Sequence, residues 1–170
     1  MLHRAFSGLG HMGLNCAGVD QSAETTARRA RLGECLVAVR NGRLVGTVTL
    51  HKPARRAECR WYRRSDVASL HQFAVDPRYQ GLGYGEALLA AATRWASERG
   101  YVELALHTPA LAAHLVEYYQ SQGFCVVEQL RFAGKSYRSQ VLSKSLAATT
   151  QRPRCPPPPR TAWCGVMVQA

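Results

Sequence analysis

The stretch Phe73-Ala-Val-Asp-Pro-Arg-Tyr-Gln-Gly-Leu-Gly-Tyr84, followed by Gly85 and the run Glu86-Ala-Leu-Leu-Ala-Ala-Ala-Thr-Arg-Trp95, decides how this chain is read. A β-rich run stops at Asp76-Pro77, the chain crosses a glycine-rich turn, and an amphipathic helix opens directly after it. Gly81, Gly83 and Gly85 remove side chains where the chain must turn sharply, so backbone N–H groups can approach a ligand. The first turn of the helix adds unpaired N–H groups and the positive end of its dipole. Together they form an anion site built from backbone, suited to a phosphate-bearing ligand. Two nucleotide loops fail on context. The Walker A loop ends in Gly-Lys-Ser/Thr, whereas Tyr84-Gly85-Glu86 stands here; the dinucleotide fingerprint needs an N-terminal strand and a later acidic residue closing a βαβ unit. On its own, the alternation of three glycines leaves an ordinary strand-to-helix turn open as the other reading.

Working outward, residues 22–32 suit a short polar helix capped by Ser22. Glu34–Val39 and Arg43–Leu50 are β-rich runs on either side of Asn41-Gly42, a strong hairpin signal. Val67–Val75 reads as the strand before the glycine turn, and Gly100 as the cap that ends the helix after it. A strand over Val102–Thr108, a helix over about 110–121 stopped by Gly123, and strands over 124–130 and 137–146 complete the order. On strict alternation Ser69, His71, Phe73 and Val75 share one face of their strand, and Leu70, Gln72 and Ala74 the other. The fold class is α/β, a mixed sheet covered by helices. Residues 1–19 form a poorly defined segment with Gly8 to Gly18 poor in strand formers, 20–146 the domain, and 147–170 a proline-rich tail expected to be disordered.

The 170 residues fit one domain with a real core, and the 46% apolar fraction fits a globular chain. No apolar run reaches membrane-span length and the N-terminus lacks a signal-peptide core, so no membrane partner and a cytoplasmic location are expected. Cys16, Cys35, Cys59, Cys125, Cys155 and Cys164 show neither metal nor disulfide spacing, which implies reduced thiols and no metal. The net charge of +11 is concentrated in Lys52, Arg55, Arg56, Arg60, Arg63 and Arg64, with a second cluster at Arg28, Arg29 and Arg31. Such patches gather anions or face solvent; a nucleic-acid partner has charge alone behind it.

The run Val75-Asp-Pro-Arg-Tyr-Gln80-Gly-Leu-Gly83-Tyr-Gly85 resembles the acyl-CoA-binding signature of the GNAT family of N-acetyltransferases, and Tyr118-Tyr119-Gln-Ser-Gln-Gly123-Phe124 resembles that family's Tyr-x-x-x-Gly-Phe segment. The resemblance covers about residues 20–146 and implies the GNAT acyl-CoA N-acyltransferase fold, with acetyl-CoA as donor and an amine-bearing acceptor. It implies that Phe73, Ala74 and Val75 line the pantetheine arm, with backbone groups of Phe73 and Val75 bonding it. Gln80, Gly81, Leu82, Gly83, Tyr84 and Gly85 would hold the pyrophosphate. Two strands, Phe73–Val75 and Val102–Leu106, would splay apart beside the loop.

Tyr119 matches the tyrosine that protonates or hydrogen-bonds the CoA sulfur, with a packing role as the other reading. His71 has the near-neutral pKa of a base, and a water relay ending on backbone or on Glu34 is the alternative. Ala112 stands where the family has asparagine, and the family's first strand is missing or irregular here. The cationic loop would suit an acceptor carrying an anionic group. A non-catalytic acyl-CoA-binding or regulatory protein of the same fold is the rival reading, and a monomer or homodimer is expected.

Overall fold

The computed structural model describes residues 1–146; the proline-rich tail expected over 147–170 lies outside the described residues. The elements run α1 (Leu2–His11), α2 (Ala17–Asp20), α3 (Ala23–Arg31), β1 (Glu34–Arg40), β2 (Arg43–His51), β3 (Val67–Val75), α4 (Tyr84–Glu98), β4 (Glu103–Pro109), α5 (Ala113–Ser121), β5 (Cys125–Leu130) and β6 (Ser139–Ser145), with single 3₁₀ turns at Trp61–Arg63 and Pro77–Tyr79. Local chemistry sets most of these boundaries. Asn41 and Gly42 both have positive φ (49° and 72°), as a tight β1–β2 hairpin requires. Ser22 caps α3 by accepting from the Thr25 amide, and α4 gives way to Gly100 at φ 77°.

The six strands lie in the order β1-β2-β3-β4-β6-β5, antiparallel except for β3 beside β4. This is the mixed sheet expected from the sequence. One face carries the main core: Val48, Leu50, Ala68, Leu70, Leu104, Leu106 and Leu142 pack against Leu88, Leu89, Ala92 and Trp95 of α4 and Val116 and Tyr119 of α5. Among the described residues no strand precedes β1, so β1 is a sheet edge, with Val37 and Val39 more than half exposed.

Residues 1–19, expected to lack definition, instead form α1 and α2. Two of the glycines there are contact points, while Gly13, at φ 73°, follows the end of α1. A Cβ on Gly18 would lie 2.6 Å from the Phe6 ring, and one on Gly10 would lie 3.0 Å from Val19, so their absence lets the two helices approach closely. Cys16, Cys35 and Cys59 are free thiols. Cys125, expected to be reduced, is disulfide-bonded; spacing along a chain does not record proximity in space. No helix among the described residues is long and apolar enough to cross a membrane.

Candidate active site

The site begins as a defect in the sheet. The parallel ladder between β3 and β4 holds only Val67↔Glu103, Ala68↔Leu104 and Ser69↔Ala105. Beyond Ser69 the two strands separate, while β4 stays paired to β6 along its whole length. The cause lies in β3. Its pairing with β2 steps from Thr47↔Ala74 to Thr49↔His71, so Val48 faces two residues, Gln72 and Phe73, and Gln72 adopts φ 48°. That β-bulge bends β3 away from its parallel neighbour.

Two sequence expectations change here. The part of β4 that stands apart is Leu106–Pro109; Glu103–Ala105, within the expected segment, are the residues still in contact with β3. The extra residue also resets the alternation, because side-chain period 2 makes a one-residue insertion flip every later side chain. Phe73 and Val75 therefore join Ala68 and Leu70 on the α4 face. Ser69 and His71 turn to the opposite face, where His71 meets His51 and Tyr62.

The backbone at the end of β3 is polarised toward the gap. The Asp76 amide donates to the Val45 carbonyl, 2.8 Å away, and Ala74 pairs with Thr47. By antiparallel alternation the N–H and C=O groups of Phe73 and Val75 point away from β2, to the side that β4 has left. The Val75 carbonyl is met there by Gln80 Nε2 at 3.1 Å. Ala74 is buried, with its polar groups turned to β2.

Asp76 anchors the turn that follows. Its buried carboxylate accepts from the Arg78 amide and from the guanidinium groups of Arg78 and Arg4, which hold it well below the usual carboxylate range. The Arg4 bond ties helix α1 to the glycine turn. Gly81 and Gly83 have φ of 72° and 82°, with open space where a Cβ would project, so backbone conformation and not crowding requires glycine at both. Gly85 has another reason: a Cβ there would lie 2.9 Å from the Tyr118 hydroxyl. Leu82 projects into solvent, and Tyr84 packs edge-on against Tyr79. The first bond closing α4 runs from the Ala87 amide to the Gly83 carbonyl. Among the described residues the amides from Gly81 to Glu86 have no acceptor, which leaves a cradle of donors at a helix N-terminus.

Tyr119 is buried beside the gap, its ring 6.1 Å from Phe73 and 5.9 Å from Phe124. Burial, reinforced by Tyr118, raises its pKa, so its hydroxyl is protonated at neutral pH. On the opposite face of the sheet stands a group that the sequence reading scattered. Tyr62 Oη lies 2.8 Å from His107 Nδ1, and the His71 ring packs against His51 (4.3 Å), Tyr62 (5.6 Å) and His107 (5.9 Å).

His71 Nε2 is spent on Ser69 Oγ at 2.9 Å, and desolvation plus the neighbouring histidines holds its pKa well below the usual value. His107 presents its ring to solvent, yet the protein surrounds it closely enough that desolvation, Lys135 and Arg29 pull its pKa to about 4. The Phe132 ring packs tilted against His107 at 4.4 Å, from a loop fastened to Asn15 by Gly134 and Ser136. The structure removes Glu34 from the site: its carboxylate is bound to Trp95 of α4 and to Arg99 just after it. Tyr62 belongs to the basic 52–64 loop expected to shape acceptor selectivity; His107 was not singled out from the sequence. The available signal was the position of His107 two residues beyond Ala105 at the end of a strand.

The sequence profile of the Acetyltransferase (GNAT) family matches residues 14–124. An uncharacterized N-acetyltransferase of Methanocaldococcus jannaschii is 31% identical over 87 residues, 49% of this chain; the match spans about a third, 35%, of that relative's length. Among solved structures, a Pyrococcus horikoshii protein superposes with TM-score 0.65 at 19% identity, covering 85% of this chain and 87% of its own. A GNAT family acetyltransferase from Elizabethkingia anophelis with acetyl-CoA bound gives TM-score 0.58 at 19% identity over 74% and 84% of the two chains. At these identities the solved structures show the shared fold.

Proposed function

Because the chain belongs to the GNAT acetyltransferase family, we propose that it is an acetyl-CoA-dependent N-acetyltransferase that passes the acetyl group directly to a primary amine of a small molecule or protein. The observation that carries this reading is the gap between β3 and β4 opening beside unpaired amides at the start of α4. The amides from Gly81 to Glu86 receive the pyrophosphate, with Gln80, Leu82 and Tyr84 framing the turn. The backbone of Phe73 and Val75 bonds the pantetheine arm as an added strand would. In this reading the thioester lies deep in the gap, near Tyr119.

In the reaction the amine nitrogen bonds to the acetyl carbon, the carbon–sulfur bond breaks, and the amine's proton must leave. Orientation of the two substrates supplies much of the acceleration. Tyr119 donates a hydrogen bond to the departing sulfur. Its raised pKa lies above the usual thiol range, so full transfer of its proton to a thiolate runs uphill. His107, exposed on the stretch of β4 that has left β3, is the proton acceptor: it is neutral at pH 7 and held in orientation by Tyr62. His71, with Nε2 engaged by Ser69, positions this group from behind.

The test is calorimetric titration with CoA, followed by thiol release from acetyl-CoA across a panel of amines. CoA binding with amine-dependent thiol release supports the proposal. Binding without turnover would identify a non-catalytic acyl-CoA-binding protein, and no binding would overturn the assignment of the cradle.

A further inference from the structure

The sheet face opposite α4 holds donors with nothing to bind. Thr49, His51, Ser69 and His71 lie on it, and the bulge adds Gln72, whose Oε1 accepts from Thr49 at 3.4 Å. Gln72 Nε2 and His51 Nε2 are buried without a hydrogen-bond partner among the described residues. Native interiors rarely leave such groups unpaired. A cation without a counter-charge acts on the same rings. Arg29 of α3 is half-buried, spends one N–H on Gln21 Oε1 at 2.7 Å, and forms no ion pair among the described residues.

Its position follows from the chain path. Gly33, one helical turn later, is pressed so closely to β2 that a Cβ would lie 2.1 Å from the Leu50 carbonyl and 2.5 Å from His51. The charge of Arg29 reaches the rings of His51, His71 and His107, lowering the proton affinity of each. The exposed arginines at 55, 56, 60 and 63, by contrast, face solvent, while Arg64 of the same loop is already paired with Asp66 and Glu103.

We propose that this face seats the acceptor and that the acceptor is a free amino acid: its carboxylate binds the Arg29 guanidinium and the Gln72 amide, and its amine reaches the β3–β4 gap beside His107. The proposal rests on the acetyltransferase reading for its amine but not for its carboxylate. A planar guanidinium with free N–H groups and an unpaired amide donor is a match for carboxylate oxygens. Besides the neighbouring histidines, the charged side chains that act on the rings of His71 and His107 are cations, Arg29 and Lys135; Glu128, which acts on Tyr62, accepts from the Cys59 thiol.

The experiment compares thiol release for the twenty amino acids with that for their C-terminal amides. For the best acceptor the acid is expected to exceed its amide by about tenfold or more in kcat/KM, as a charge-assisted contact provides. Arg29→Gln should bring that ratio to within about twofold of one, mainly through KM, and Arg29→Lys should restore part of it. Equal use of acids and amides by the wild type, or an equal loss on both in Arg29→Gln, overturns the proposal. A binding measurement separates its failure from that of the catalytic reading. N-acetylglycine and N-acetylglycinamide are titrated into CoA-saturated protein, with far-UV circular dichroism confirming that each variant folds. Arg29-dependent binding of the acid without any thiol release would sink the catalytic reading and leave the carboxylate seat standing. If neither compound binds and no amino acid is acetylated, the seat is wrong.

Discussion

Tyr119 shows how far a single side chain can be assigned. Its ring is a core element, touching Phe73, Tyr118 and Phe124, while its hydroxyl is the part that chemistry needs. Tyr119→Phe keeps the ring and removes the donor, so it separates the two roles. Losing one preorganised donor to a developing negative charge costs about a hundredfold in rate. The expected outcome is therefore a fall in thiol release of about that size, with the thermal midpoint changed by no more than a few degrees. An unchanged rate would return Tyr119 to packing alone. Asp76 works at the same scale by a different route. It meets no part of the cradle's open side, yet it fixes the turn through Arg78 and reaches back to Arg4.

At the scale of elements, β3 carries both the site and the main limit of sequence reading. The hairpin, the α3 cap and the end of α4 were legible because each depends on a few adjacent residues: Asn41-Gly42, Ser22 and Gly100; α4 opens at Tyr84, two residues before the expected Glu86. The glycine cradle was legible for the same reason. The bulge was not, because Ser69–Val75 keeps an unbroken β pattern and an inserted residue leaves no local mark; the faces assigned beyond His71 were consequently reversed. Tyr62 and His107 lie 45 residues apart in the chain and meet only through the fold. The region from Gly8 to Gly18 was read only as poor in strand formers, and its helices were missed because Gly10 and Gly18 serve close helix contact, which leaves no local mark.

Gln72 makes the bulge testable. It bears a positive φ without being glycine and buries an unpaired amide, two costs of about 1 kcal/mol each that Gln72→Gly removes, against a glycine's greater chain entropy of up to about 1 kcal/mol. Urea denaturation should show a variant more stable by about 1 kcal/mol, with KM for the acceptor raised. A variant less stable than wild type would mean that the Gln72 side chain is satisfied and the strain is not where the backbone places it.

For the molecule as a whole, the histidine layer predicts acid lability well above the range of carboxylate titration. His51, His71 and His107 all have pKa values lowered in the fold, desolvation being the first cause for each. Between the ordinary histidine value near 6.5 and the folded value, the unfolded chain binds protons that the folded one refuses. Stability is therefore complete above about pH 6.5 and falls as the pH drops toward about 4. Taken at face value the shift at His107 would be worth about 3 kcal/mol, but its ring contacts solvent, and screening reduces that to about 1 kcal/mol. His71 and His51 act in the same direction. The carboxylate of Asp76 also favours the folded state, but its contribution fades only below about pH 4, so the two windows are distinct. The net charge of +11 adds self-repulsion as each histidine gains a proton. Against a typical stability of about 5–15 kcal/mol, the histidine contribution is large enough to read. Urea midpoints at pH 7.5, 6.0 and 5.0 should decline at every step, and His71→Asn should flatten the decline. A midpoint that stays level from pH 7.5 to 5.0 would show that these rings take up protons as freely in the fold as outside it, and the histidine layer would then be wetter than its packing implies.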